Sequence, residues 1–287
     1  MLPAAFDVVA GPLLATLFVV LLALEARCPL RRRRRPWAER LRVNAAMAVL
    51  GMVTIRLATL PALVLISLWT AQTRVGLLRL ATLPPVLGAV AAFVLLDYTT
   101  YVWHRLNHRW PVLWRFHSVH HTDLDLDVTT AMRFHVGELL AAVLYRSILV
   151  ALLGVDVALL LAYEVAMEAA TEFHHSNWTL PLAVERALSR ILVTPRMHGI
   201  HHSLVEAETN ANWSVVLSVW DRLHGTLRLD VAQGQLVIGL PAYRDAAGVT
   251  FVKLLGLPFR RQPAWWRLPD GTQPARQRQG DARTLAA

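Results

Sequence analysis

The chain of 287 residues is 55% hydrophobic and only 17% charged, too apolar for an ordinary soluble domain, and it reads as a polytopic membrane protein. Its net charge of +9 is carried by arginine, with Lys253 the only lysine. The single cysteine, Cys28, excludes a disulfide framework and a cysteine-rich metal site, so histidine and carboxylate must hold any metal.

A first apolar span, residues 8–24, approaches the roughly 20 residues that cross a bilayer core. The run RRRRR at 31–35 follows this span, the reverse of a signal peptide. Such runs also contact nucleic acid, but one placed directly after a span acts as a topogenic signal facing the cytoplasm and anionic lipid, so no nucleic-acid partner is expected. A second span, 43–69, leads outward and holds Arg56 near its middle, expected to snorkel or to pair inside the bundle. The third, 83–103, returns inward and ends on HRLNH. Residues 136–170 are too long for one crossing and short for two; interrupted at 154–158, they read as a helical hairpin with Asp156 at its turn. His174 and His175 then emerge on the side already occupied by the earlier histidines.

From Glu185 onward the chain is more polar, and the end from Asp270 lacks apolar periodicity and reads as a disordered tail. The expected fold is all-α: a polytopic membrane helical bundle with a cytoplasmic, histidine-rich helical cap. Its expected parts are N-terminal transmembrane helices with a basic loop (1–80), a di-metal domain (81–232) and a cytoplasmic extension (233–287).

Histidines recur at helical spacing. His104 and His108 are i,i+4, while His117, His120 and His121, and again His198, His201 and His202, are i, i+3, i+4. With twelve histidines in the chain, one His-x-x-His-His is expected by chance about 0.02 times, so two of them need a cause. A pH sensor is one, but protonating so many neighbours at once is prohibitive, and a cluster kept neutral by metal is cheaper. Eight to ten imidazoles exceed one metal's coordination number and point to two. Nitrogen donors favour iron, zinc, copper or nickel over magnesium and calcium. Only Glu172 and His175 have the Glu-x-x-His spacing of carboxylate di-iron bundles, which disfavours a ferritin-like site.

The segments DYTTYVWHRLNH, HSVHH, RFHVGE, FHHSN, TPRMHGIHH and NWSVVLSVWDRLHGT occur in an order that resembles the fatty acid hydroxylase / sterol desaturase superfamily, bacterial members above all, over residues 94–227. The resemblance implies a membrane oxygenase, in a bacterial inner membrane with its active site cytoplasmic, that oxidises a lipid C–H bond with O2, usually by hydroxylation. It implies two irons, for which zinc substitutes on expression, held by His104, His108, His117, His120, His121, His175, His198, His201 and His202. An external electron donor is implied, since no dinucleotide, haem or flavin signature is present. A desaturase, a carotenoid hydroxylase or an ether-lipid monooxygenase shares this scaffold, and a non-catalytic membrane metal-binding protein is the rival of a different class.

His135 and Glu138 match a segment usually written Phe-His-Pro-x-Glu, with Val136 in place of proline, and are expected behind the ligands or as caps. His174 precedes a matched histidine and is expected beside the site. Asp97, seven residues before His104, is placed to accept from a ligand's second ring nitrogen or to satisfy the bundle interior. His224 stands where the family has phenylalanine and is expected to pack or face solvent. Trp213 and Ser214 replace an aromatic-glycine pair, putting the local turn in doubt, and Asp221 with Arg222 is expected to form a salt-bridged corner.

Overall fold

Long apolar helices stand side by side in the computed structural model, which describes residues 2–81 and 83–276, and short helices cover one end of them. α1 (Leu2–Arg27) is followed by α2 (Trp37–Thr54), a π turn (Ile55–Thr59) that includes Arg56, and α3 (Leu60–Thr73). α4 (Leu77–Leu80) precedes α5 (Pro85–Arg109), and α7 (Val136–Leu153) follows α6 (Pro111–His121) and a 3-10 turn (Val128–Met132). The stretches Val8–Arg27, Trp37–Leu80, Pro85–Arg109 and Val136–Leu153 are long and apolar enough to cross a membrane, and the chain is an integral membrane protein. Their outer faces expose Val8, Leu57, Val86 and Leu144, apolar surface suited to lipid rather than water.

The spans run further than their hydropathy alone marks. The second begins at Trp37, inside the polar segment after the arginines, and continues to Leu80. The third continues to Arg109, so His104 and His108 share one helix with the bundle core. It stops there because Trp110 is extended, as the residue before Pro111 is driven to be, and Pro111 starts α6 without losing a needed donor.

The expected hairpin is present as α7 and α8 (Val157–His175), reversed at Gly154 with φ 70°. Gly76, at φ 122°, meets it at backbone contact, and a Cβ on Gly76 would stand 2.3 Å from the Gly154 Cα. Asp156 lies at this turn, held by Arg79 at 2.8 Å. The bundle core beneath it includes Leu63, Leu96, Val150, Leu160 and Tyr163. Every histidine motif is at the opposite end, where α5 and α8 finish and α6 and α10 (Pro195–His201) begin to cover them.

The arginine run is built into the structure. The linker after α1 pairs with the segment after α8 through Leu30 N–H to the Asn177 carbonyl and Thr179 N–H to the Cys28 carbonyl. Arg31 is buried and donates to the Pro195 carbonyl and to Gln233. Asp125 accepts the backbone N–H groups of Arg34 and Arg35. Further in, Arg40 forks onto both oxygens of Asp123 at 2.7 and 2.8 Å and reaches Asp127 at 2.6 Å, all of them buried. Asn44 links Asp123 to Arg133, and Arg133 donates to the Val119 carbonyl and the Thr122 hydroxyl at the end of α6. Burial alone would raise the Asp123 carboxyl, but Arg40 and Arg133 override it and hold it far below the usual carboxylate range.

At the C-terminal side, Val249, Leu254 and Leu257 pack on Met47 and Val119. Asp221 and Arg222 do not pair with each other as the sequence suggests. Asp221 instead accepts from the Trp213 and Ser214 N–H groups and the Thr226 hydroxyl, and Arg222 donates to the Ser189 carbonyl, because backbone donors at the turn reach the carboxylate first. Arg276 lies on Glu208, and residues 277–287 of the expected disordered tail lie outside the described residues.

Two outcomes follow from this architecture. Removing one member of a buried ion cluster leaves an uncompensated charge, so Arg40→Ala should cost about 3–5 kcal/mol in unfolding measurements on the detergent-solubilised chain, and Arg40→Lys should recover only part of it. Reporter fusions after Arg74 and after His202 should report opposite sides of the membrane; the same side for both would contradict a single histidine-bearing end.

Candidate metal centre

Eleven of the twelve histidines converge on or beside the covered end of the bundle, and nine of them form two groups. The first consists of His104, His108, His117, His121 and His201, the second of His120, His175, His198 and His202, and within each the facing atoms all lie within 4.8 Å of one another. The division follows from helix periodicity. α6 sends its i,i+4 pair, His117 and His121, to the first group and His120 to the second. α10 with its following residue does the converse, sending His198 and His202 to the second and His201 to the first. The groups abut, with the His121 and His202 rings 4.5 Å apart.

Second ring nitrogens are anchored to the surrounding chain. His104 Nδ1 lies 2.9 Å from the Trp213 carbonyl, His201 Nδ1 2.8 Å from that of Ala211, and His175 Nδ1 2.7 Å from that of Thr171. His117 Nδ1 is 2.8 Å from Glu138 Oε1. A carbonyl accepts only from N–H, so these rings carry their proton outward and turn a bare Nε2 lone pair inward. In the second group the Nε2 atoms of His120 and His175, His175 and His198, and His198 and His202 stand 3.0, 3.0 and 3.1 Å apart. His201 Nε2 and both nitrogens of His108 are buried without a partner.

This donor set fits metal cations. Facing lone pairs and orphaned buried nitrogens are costly when left to themselves and are satisfied by a shared cation. Protonation does not offer the same relief. Burial first, and neighbouring imidazoles second, hold His120, His121, His198, His201 and His202 well below the ordinary histidine value, and burial holds His175 at about 3.

The remaining expected residues have distinct places. Glu138 is in contact with His117. Asp97 touches no histidine: it accepts from Trp220 Nε1 at 2.7 Å and the Leu217 N–H at 3.1 Å, tying α5 to the cap. His135 caps α7 by accepting from the Gly137 N–H, with its other nitrogen 3.2 Å from the Leu255 carbonyl. His174 lies outside both groups, its Nδ1 3.2 Å from the Val215 carbonyl and its ring 4.0 Å from that of His198. His224 belongs to neither group; it is exposed and stacked on Tyr101.

Sequence reasoning does not reach the carbonyls of Trp213, Ala211 and Thr171, because an anchoring backbone atom leaves no mark in residue type. The nearest signal is Asn212, which adopts φ 54°, bridges the Met197 and Arg228 carbonyls, and thereby sets the turn that presents both Ala211 and Trp213. The departure of Trp213-Ser214 from the aromatic-glycine pattern is thus accommodated by Asn212 before it.

Comparison with known proteins is consistent with this geometry. The fatty acid hydroxylase family model matches residues 89–226, which contain both groups. The chain is 32% identical over 179 residues to ornithine lipid hydroxylase OlsE of Rhizobium tropici, covering 62% of this chain and 52% of the relative. It is 27% identical over 203 residues to alkylglycerol monooxygenase of Danio rerio (66% and 44% covered) and 30% identical over 138 residues to cholesterol 25-hydroxylase of Homo sapiens (47% and 49%). The chain thus spans about half the length of the curated relatives it matches. No solved structure matches it.

The depressed histidines set a pH window. Below the unfolded-state value near 6.5 the unfolded chain binds more protons than the folded one, so metal-free protein should lose stability as pH falls from about 6.5 toward 3 and show no dependence on these groups above about 7. Thermal unfolding of chelator-stripped protein across pH 4–8 tests the sign; a midpoint that does not fall on acidification would contradict burial of neutral imidazoles.

Proposed function

Since the chain belongs to the fatty acid hydroxylase family, we propose that it is an O2-dependent oxygenase that hydroxylates a C–H bond of a membrane lipid. The observation that most supports this reading is the pair of all-imidazole groups where an apolar membrane bundle meets its cap. His104, His108, His117, His121 and His201 would hold one iron, and His120, His175, His198 and His202 the other. Two irons bound there would supply O2 activation and oxidation of an unactivated C–H bond.

The chain's own groups set the conditions for that chemistry. Neutral imidazoles add no negative charge and leave a bound metal electrophilic. The Trp213, Ala211 and Thr171 carbonyls and the Glu138 carboxylate hold the Nδ1 protons and fix ring orientation. The cap excludes water, all nine rings being largely buried. A lipid reaches the site from the bilayer because the histidines begin where α5 and α8 end. Electrons come from an external donor, and the arginine run supports a site on the cytoplasmic side of a bacterial inner membrane. The relatives' names specify an ornithine lipid, an alkylglycerol and cholesterol, so the substrate class stays at the level of a lipid.

Metal analysis of purified variants tests the ligand assignment. His120→Ala and His201→Ala should each lower metal content and abolish turnover, while His224→Phe should leave both within about twofold; loss of metal in His224→Phe would contradict the assignment. Zinc binds nitrogen sites at least as strongly as ferrous iron, so activity should follow iron content with a reductant and O2, and the product should carry label from 18O2. An iron-loaded protein that consumes no O2 with lipid and donor present would return the chain to a metal-binding role, and turnover without label in the product would make it a desaturase.

A further inference from the structure

α8 is apolar along much of its length yet carries Glu164, Glu168 and Glu172. Glu164 is neutralised by Arg146 of α7. Glu168 and Glu172 have no ion pair and no side-chain hydrogen bond among the described residues, although Glu172 is only 4% exposed and its Oε2 is fully covered. Neither belongs to the two histidine groups. An unpartnered carboxyl costs free energy at such a position, more so two of them one helical turn apart.

Their direction follows from helix geometry. At 3.6 residues per turn, positions 164, 168, 172 and 175 fall within an arc of about 80°. Glu164 turns one end of that stripe toward α7, and His175 turns the other into the second histidine group. α1 packs on α8 and the Val128–Met132 turn, with no comparable packing on α2, α3 or α7. The stripe of α8 between these two ends bears Glu168, which is only partly covered, and the buried Glu172, and it finishes at His175.

We propose that Glu168 and Glu172 form a polar subsite for an O–H or N–H donor carried within the lipid, an inference that rests on the oxygenase reading of the histidine groups. A carboxyl accepts such a donor whether ionised or protonated. At 1.5 Å per residue the two carboxyls are set back from His175 by about 4.5 and 10.5 Å along α8. The donor therefore lies a few carbon atoms from the C–H presented to the metals, and the substrate class is a hydroxylated or amine-bearing acyl lipid rather than a plain hydrocarbon chain.

Binding to the full-length, metal-loaded chain in nanodiscs tests this with two probes of equal length, a long-chain amino alcohol and the alkane that lacks both polar groups. Wild type should prefer the amino alcohol by about tenfold or more relative to partition into empty nanodiscs, the factor that 1.4 kcal/mol represents. The double variant Glu168→Leu/Glu172→Leu should bring this preference to about twofold or less, with metal content retained and thermal stability unchanged or raised, whereas Glu168→Gln/Glu172→Gln, which keeps the acceptors, should retain most of it. Equal binding of the two probes by wild type, or undiminished preference in the leucine variant, would overturn the subsite. A leucine variant that slows turnover while leaving probe preference intact would likewise overturn it in favour of proton delivery. A wild type that discriminates between the probes but oxidises no lipid would leave the subsite standing and refute the oxygenase reading instead.

Discussion

The structure depends on burying nine imidazoles with ring nitrogens facing one another. Left alone, such an arrangement forfeits hydrogen bonds and confines lone pairs at 3.0–3.2 Å. It is maintained because the surrounding chain fixes the opposite edge of several rings, through the carbonyls of Thr171, Ala211 and Trp213 and the carboxylate of Glu138, and because the inward nitrogens suit a cation. Rigid rings aimed at fixed points are what a metal centre requires, and they also account for the amount of chain committed to the cap.

That commitment explains features that otherwise look costly. The buried ions Arg40, Asp123, Asp127 and Arg133 are an inefficient way to gain stability, since two charges must leave water for each attraction gained. Their position gives them another role: Arg133 ends on the Val119 carbonyl and the Thr122 hydroxyl, so the network clamps the end of α6 that carries His120 and His121. Arg31 performs a similar task for α10 through Pro195. The run of arginines, in the sequence a topogenic signal by expectation, thus also supports the helices bearing the histidines.

The bundle contributes position as well as support. α5 and α8 are bundle helices with histidines in their last turns, so the two histidine groups stand where the apolar bundle meets its cap. α1 leans on α8, and Asp97 fastens the cap to α5 through Trp220 and Leu217 instead of supporting a histidine. Asp97 thus holds the cap down, whereas Glu168 and Glu172 of α8 stand without an ion pair or side-chain hydrogen bond among the described residues.

Much of this is legible in the residues. Hydropathy marks the spans and the hairpin, since an apolar face must be long enough to match a bilayer, and Gly154 is needed where the chain reverses at positive φ. The repeat His-x-x-His-His states that three imidazoles share a helix face, and two such repeats with further pairs require a common partner. What one-dimensional spacing cannot state is how faces from different helices meet. The partition of each triplet between two groups, the backbone carbonyls that orient the rings, the absence of a pair between Asp221 and Arg222, and the unpartnered carboxyls of Glu168 and Glu172 all depend on helix packing. Local periodicity fixes which side of its own helix a residue occupies; only the tertiary structure decides what stands opposite, because that contact is made by residues distant in the chain and by backbone atoms common to every residue type.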